Sequence, residues 1–246
     1  MQTVLGTGRP HPGLESAERA GVAHPESCGY NLRRMKPLSE CRLYAFVDTA
    51  YLHGRPPELV ARQLCDGGAD LIQLRAKRSS PDEIRRMAEA VLPVTRPAGA
   101  GLVVNDHFAV ARDVGADFCH LGQEDFFDAG FARVSQLPAF GSRPGIGLSS
   151  HAPDQARRAM AAGADYIAIG PVHATPTKPG AKPVTLDYVR WAAANVDIPW
   201  FAIGGITLLN LDELLAAGAR RICVVSAILD APDVKKACSE FRKRLG

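Results

Sequence analysis

Four times along this chain a helix-like stretch closes on a glycine-alanine corner and runs straight into a short apolar strand. The corners are Gly68-Ala69-Asp70, Gly115-Ala116-Asp117, Gly163-Ala164-Asp165 and Gly218-Ala219-Arg220. A unit of helix, corner, strand and polar loop, repeated, is what a closed wheel of parallel strands needs, because the loops after the strands then converge on one mouth. The residues that follow each strand are suited to phosphate or to a hard cation, so the functional site is expected at that mouth.

The strand candidates are Leu43 to Val47, Leu71 to Leu74, Gly101 to Val104, Phe118 to Leu121, Gly145 to Leu148, Tyr166 to Ile169, Trp200 to Ile203 and Arg221 to Val225. Most are continuous apolar runs, as expected of parallel strands covered on both faces. Helical patterns alternate with them: Pro57 to Cys65, Pro81 to Leu92, Phe108 to Val114, Ala129 to Gln136, Pro153 to Ala162, Leu186 to Ala194, Leu211 to Ala217 and Pro232 to Arg244. Ser80-Pro81-Asp82-Glu83 opens the second, with a hydroxyl to cap free amides, proline at the first helical position and two acids on the positive end of the helix dipole. No G-x-G-x-x-G follows the first strand, which argues against an open doubly wound sheet. The expectation is α/β: a single (β/α)8 TIM barrel over residues 41–246. Residues 1–40, punctuated by Gly6, Gly8, Pro10, Pro12, Gly13 and Pro25, form a loosely structured N-terminal extension.

Composition narrows the function more than the fold. A formal charge of +3 over 246 residues is spread along the sequence, with no basic run interleaved with aromatics, so no nucleic-acid partner is expected and small anionic ligands suit it better. No apolar run approaches the roughly 20 residues that span a bilayer, and the expectation is a cytoplasmic protein without a membrane partner. The six cysteines form no C-x-x-C pair, and Cys65, Cys119 and Cys223 fall inside helix or strand patterns as small apolar side chains. Self-association through the outer helices is left open.

Chemistry gathers at the strand ends. In Gln73-Leu74-Arg75-Ala76-Lys77 the period of two puts Gln73, Arg75 and Lys77 on one side, either for a phosphate or for acids inside a barrel. Asn105-Asp106 follows the third strand and Gly122-Gln123-Glu124-Asp125 the fourth. Asp106 and Asp125 can share a hard cation such as magnesium, with Asn105 on substrate, or they can cap helices. Ser149 ends the fifth strand. The sixth runs into a loop where prolines bracket Thr175, Thr177 and Lys178 and pre-organise them. Gly204-Gly205-Ile206 and Val225-Ser226-Ala227 follow the last two strands, where barrels often cradle phosphate on backbone amides. No Ser-His-Asp or Cys-His pairing is required, and His120 and His173 are read as packing or loop residues. The result is two anion-binding regions in one mouth.

Taken together with His120-Leu121-Gly122, Gly147-Leu148-Ser149, Gly170-Pro171-Val172 and Val225-Ser226-Ala227-Ile228, these motifs resemble the thiamine phosphate synthase family from about Arg42 to the C-terminus. The resemblance implies an enzyme that condenses the diphosphate of hydroxymethyl-aminopyrimidine with a thiazole phosphate and releases pyrophosphate. It implies Gln73, Arg75, Lys77, Asn105, Ser149 and Lys178 on the pyrimidine diphosphate, with Arg75, Lys77 and Lys178 assisting the departure. It further implies Thr175, Thr177, Gly205, Val225 and Ser226 on the thiazole phosphate, and Asp106 and Asp125 on Mg2+. Two rivals follow from the same barrel. Sibling thiazole tautomerases carry histidine at the position of Pro171, and a non-catalytic barrel could bind a thiamine precursor and regulate a partner.

Overall fold

Eight parallel strands pair in sequence order, and the eighth returns to the first to close the barrel. They are β1 (Leu43–Asp48), β2 (Leu71–Arg75), β3 (Gly101–Asn105), β4 (Phe118–Leu121), β5 (Gly145–Ser150), β6 (Tyr166–Ile169), β7 (Trp200–Ile203) and β8 (Ile222–Cys223). The helices are α1 (Pro57–Asp66), α2 (Pro81–Ala98), α3 (Phe108–Val114), α4 (Gln123–Phe126), α5 (Pro153–Ala161), α6 (Thr185–Asn195), α7 (Leu211–Ala216), α8 (Ser226–Leu229) and α9 (Val234–Leu245). The structure is a computed structural model and describes residues 35–138, 143–175, 180 and 182–246. No helix among these is long and apolar enough to cross a membrane.

The corners that signalled the barrel have a direct physical job. All four corner glycines, Gly68, Gly115, Gly163 and Gly218, adopt positive φ, which ends a helix and turns the chain into the next strand at little steric cost. The aspartate that follows reaches back across the sheet. Asp70 accepts hydrogen bonds from the amides of Arg42 and Leu43 at 2.6 and 3.0 Å, Asp117 from Leu102 at 2.8 Å and Asp165 from Ile146 at 2.7 Å. Each carboxylate thereby caps the first amides of the odd-numbered strand beside it, groups that would otherwise open the ladder unpaired. The fourth corner carries the exposed Arg220 in place of an acid.

Inside the barrel the space is filled by aromatic rings. Tyr44, Phe118, Tyr166 and Phe201 meet edge to face at 5.4–6.0 Å between centroids. Two glycines of β5 make room for them: a Cβ on Gly147 would lie 2.0 Å from Tyr166 Cζ, and one on Gly145 would lie 2.5 Å from the Phe118 ring. Outside, the longer helices bury an apolar stripe, Val60, Ala61 and Leu64 on α1 and Val234, Cys238 and Phe241 on α9.

Three elements differ from the sequence expectation. α2 begins at the Ser80 capping box as expected but runs on through Pro93 to Ala98. Pro93 faces solvent, where the carbonyl that loses its donor can bond water, and the buried stripe Ile84, Ala88, Val91, Leu92, Thr95 continues past it. The helix expected from Ala129 to Gln136 is replaced by α4 and a 3-10 turn at Val134–Gln136. Phe126, Phe127 and Phe131 pack against one another between them, so tertiary contact takes the place of helical period. Residues 35–40, read from sequence as extension, lie at the base of the barrel: Met35 abuts Gly101, and Arg221 donates to the Leu38 and Ser39 carbonyls.

Candidate active site

The strand ends enclose a cavity of about 410 Å³ at the C-terminal face of the barrel. Neighbouring strands set the distances. Asp48 pairs in register with Arg75, Asn105 with His120, and Ser149 with Ala168, so groups remote in sequence end at one level.

On one side stand cations and acids together. Arg75 Nη1 donates to Asp48 Oδ2 at 2.7 Å, and Asp48, only 1% exposed, is itself tied by the Ala50 amide. Lys77 Nζ donates to Asp106 Oδ2 at 2.5 Å, and the Asn105 amide donates to the same oxygen at 2.6 Å. The barrel-interior ion pair that the sequence left open is therefore real for Arg75, whose guanidinium carries further N–H groups suited to another acceptor. Asp106 has φ +62°, a left-handed conformation uncommon for a non-glycine residue. Asp125 accepts from the Gly122 amide at 3.1 Å and lies beside Asp106. Burial first, then the neighbouring Asp106 charge, hold the Asp125 carboxyl above its usual range. Two carboxylates pressed together in this way are suited to an intervening hard cation.

Magnesium fits the donor set. Among the described residues no group of three or more His, Cys, Asp or Glu side chains converges, so a cage built wholly of protein ligands of the zinc kind is not present there. Magnesium asks for less: one or two carboxylates, with phosphate oxygens and waters completing an octahedron.

The middle of the cavity floor is a line of neutral polar groups. Gln73 Nε2 donates to Tyr44 Oη at 2.6 Å, Tyr44 Oη lies 3.0 Å from Tyr166 Oη, Tyr166 Oη 3.1 Å from His120 Nδ1, and His120 Nε2 3.0 Å from Ser149 Oγ. Burial pushes both tyrosines well above their ordinary pKa and pushes His120 down to about 4, so all three are neutral at pH 7. Gln123 Nε2 donates to the Ser149 carbonyl at 2.5 Å and steadies that strand end.

Across the cavity lie Thr175, Gly204, Gly205, Val225 and Ser226. Gly204 and Gly205 have φ +106° and +61°, and a Cβ on either would collide with the loop after β6, at Pro171 and at the Ala174 carbonyl. That loop is pinned to them by Val172 N donating to the Ile203 carbonyl and His173 N to that of Gly204. The double glycine thus has a packing reason besides any contact with a ligand. Thr177 and Lys178 lie outside the described residues.

Of the residues singled out from sequence, Gln73, Arg75, Lys77, Asn105, Asp106, Asp125, Ser149, Thr175, Gly205, Val225 and Ser226 all line this one cavity. Sequence reasoning missed Tyr44, Phe46, Glu124 and His151 as lining residues and assigned His120 to packing. Tyr166 also went unremarked, although a tyrosine opening a buried strand is a usable signal, since its hydroxyl must find a partner.

A family model described as thiamine monophosphate synthase matches residues 43–228. The chain belongs to the thiamine monophosphate synthase family. Among relatives, the thiamine-phosphate synthase of Thermus thermophilus is 47% identical over 180 residues, covering 73% of this chain and 84% of that protein. That of Acidothermus cellulolyticus is 44% identical over 210 residues, covering 85% and 96%. Among solved structures, thiamine phosphate pyrophosphorylase from Pyrococcus furiosus matches with a TM-score of 0.72 at 30% identity, over 85% of this chain and 98% of that one. A 3-hexulose-6-phosphate synthase, 19% identical with a TM-score of 0.57, shares the fold. Membership in the thiamine monophosphate synthase family agrees with the resemblance carried by the strand-end motifs.

Proposed function

We propose that this protein condenses 4-amino-2-methyl-5-(diphosphooxymethyl)pyrimidine with a thiazole phosphate, giving thiamine phosphate and pyrophosphate. The observation that carries the reading is one cavity in which Arg75, Lys77 and the paired carboxylates of Asp106 and Asp125 stand together. The relatives named above act in its favour, since they bear the name of this activity.

The chemistry needs no protein nucleophile. The amino group of the pyrimidine feeds electrons toward the methylene carbon as its bond to the diphosphate oxygen breaks, and the thiazole nitrogen then forms the new bond to that carbon. The protein's part is to hold the departing charge and aim the second ring. Gln73, Arg75, Lys77, Asn105, Ser149 and Lys178 would bind the pyrimidine diphosphate. Thr175, Thr177, Gly205, Val225 and Ser226 would hold the thiazole phosphate, the glycine admitting close backbone approach. Asp106 and Asp125 would hold Mg2+, which when bound supplies positive charge to the leaving diphosphate.

Charge balance favours that cation. Among the described lining residues Arg75 and Lys77 face three carboxylates, Asp106, Glu124 and Asp125. A diphosphate entering such a site needs further positive charge, which Lys178 and a divalent cation would supply.

Purified protein mixed with both substrates and Mg2+, with products followed by mass, tests the reading. Thiamine phosphate is the expected product. A thiazole isomerised without condensation would assign the tautomerase reaction instead, and ligand retained without turnover would leave a binding protein.

A further inference from the structure

We infer that Tyr44, Tyr166 and His120 are positioning residues whose hydrogen bonds fix Gln73 as an acceptor and Ser149 as a donor toward the substrate's aminopyrimidine ring. The inference deepens the proposed function and rests on its pyrimidine assignment.

The proton sense follows from counting donors along a line that crosses five strands. A primary amide nitrogen can only donate, so the 2.6 Å contact from Gln73 Nε2 delivers a proton to Tyr44 Oη. Tyr44 is 1% exposed, and among the described residues the other hydroxyl within hydrogen-bond reach of its Oη is that of Tyr166, at 3.0 Å. Tyr166, fully buried, passes its proton in turn to His120 Nδ1 at 3.1 Å. An imidazole that accepts at Nδ1 carries its hydrogen on Nε2, and that hydrogen goes to Ser149 Oγ at 3.0 Å. With Gln73 Nε2 facing Tyr44, the opposite sense would give Tyr44 two incoming protons; it requires the amide turned over, so that Oε1 accepts from Tyr44 and the cavity meets an N–H instead. Gln73 therefore keeps its Oε1, and Ser149 its hydroxyl proton, for whatever occupies the cavity both residues line.

This pattern discriminates between ring chemistries. An aminopyrimidine carries an N–H donor on its exocyclic amine beside a ring-nitrogen acceptor. The Gln73 carbonyl matches the amine and stabilises the positive charge that grows on it as the diphosphate leaves, where an amide N–H would oppose that charge. The Ser149 hydroxyl matches a ring nitrogen. An oxo analogue, with a carbonyl in place of the amine, sets acceptor against acceptor at Gln73 and is rejected, because a buried polar mismatch is costly. His120 and the two tyrosines set this preference through Gln73 and Ser149.

Two measurements on the full chain decide it. Long-range proton–nitrogen NMR of the imidazoles at neutral pH, with the His120 signal assigned from its loss in His120→Gln, should show the hydrogen on Nε2. A hydrogen on Nδ1 reverses the line and overturns the inference. Tyr166→Phe, checked for fold by thermal melting, should raise KM for the pyrimidine diphosphate, and lower the preference for it over the oxo analogue, by about tenfold. KM for the thiazole phosphate and inhibition by inorganic pyrophosphate should stay within about twofold, the range of a perturbation worth a few tenths of a kcal/mol. All of these moving together would mean a merely structural role and would overturn the inference. Tyr44→Phe cuts the same line one bond earlier and serves if Tyr166→Phe does not fold. A wild-type protein that binds the pyrimidine but makes no thiamine phosphate would refute the proposed function, while the tautomer still decides the sense of the line.

Discussion

Asp106 is where backbone conformation and electrostatics meet. Its left-handed backbone, its contact with Asp125 and its bonds from Lys77 and Asn105 make it the hub of the acidic side. Asp106→Asn keeps the size of the side chain and removes its charge. Turnover at limiting Mg2+ should fall about 100-fold or more while the melting temperature moves little, and an unchanged rate would exclude the metal role. His120 makes a second prediction. Its folded pKa, lowered by burial from 6.5 to about 4, means that below pH 6.5 the unfolded chain takes up a proton that the buried ring refuses. The stability this provides is whole above about pH 6.5 and is lost progressively toward pH 4, on the order of 3 kcal/mol in all. Metal-free wild-type protein should show that slope in its melting temperature and His120→Gln should lack it. Single residues of this kind were legible only in part. The alternation of Gln73, Arg75 and Lys77 follows from strand period, but their partners Tyr44, Asp48 and Asp106 arrive from other strands, and no local pattern records that.

The elements were the most legible level. The corner repeat announced the barrel because each Gly-Ala-Asp does two things within three residues: it turns the chain and caps the neighbouring strand. Asp165→Ala should cost about 1–3 kcal/mol by leaving the Ile146 amide unpaired, whereas Arg220→Ala at the exposed fourth corner should stay within about 0.5 kcal/mol. Chemical denaturation of the two variants checks both. Gly147→Ala should destabilise by about 1–3 kcal/mol for the opposite reason, overpacking against Tyr166, and should perturb activity through the hydrogen-bond line. Where the sequence misled, after β4 and at Pro93, the deciding interactions were three phenylalanines packing together and a buried stripe strong enough to carry a helix past a proline. Neither is encoded by propensity over a short window.

Taken as one body, the barrel turns eight separated strand ends into one cavity, with the fold maintained by caps and rings at its base and middle and the chemistry held at its mouth. The division explains why family membership could be read from strand-end motifs alone, while the charge balance of the cavity could not: that balance depends on Glu124 lining the cavity and on Asp48 neutralising Arg75. The proposed chemistry stands on one point: a cavity whose described lining residues carry more carboxylates than cations holds a departing diphosphate with the help of a divalent cation. Calorimetric titration of inorganic pyrophosphate into the full chain puts that point to the test. Binding is expected in Mg2+, lost in a chelator and weakened at least about tenfold in Asp125→Asn. Equal affinity with and without the metal would contradict it.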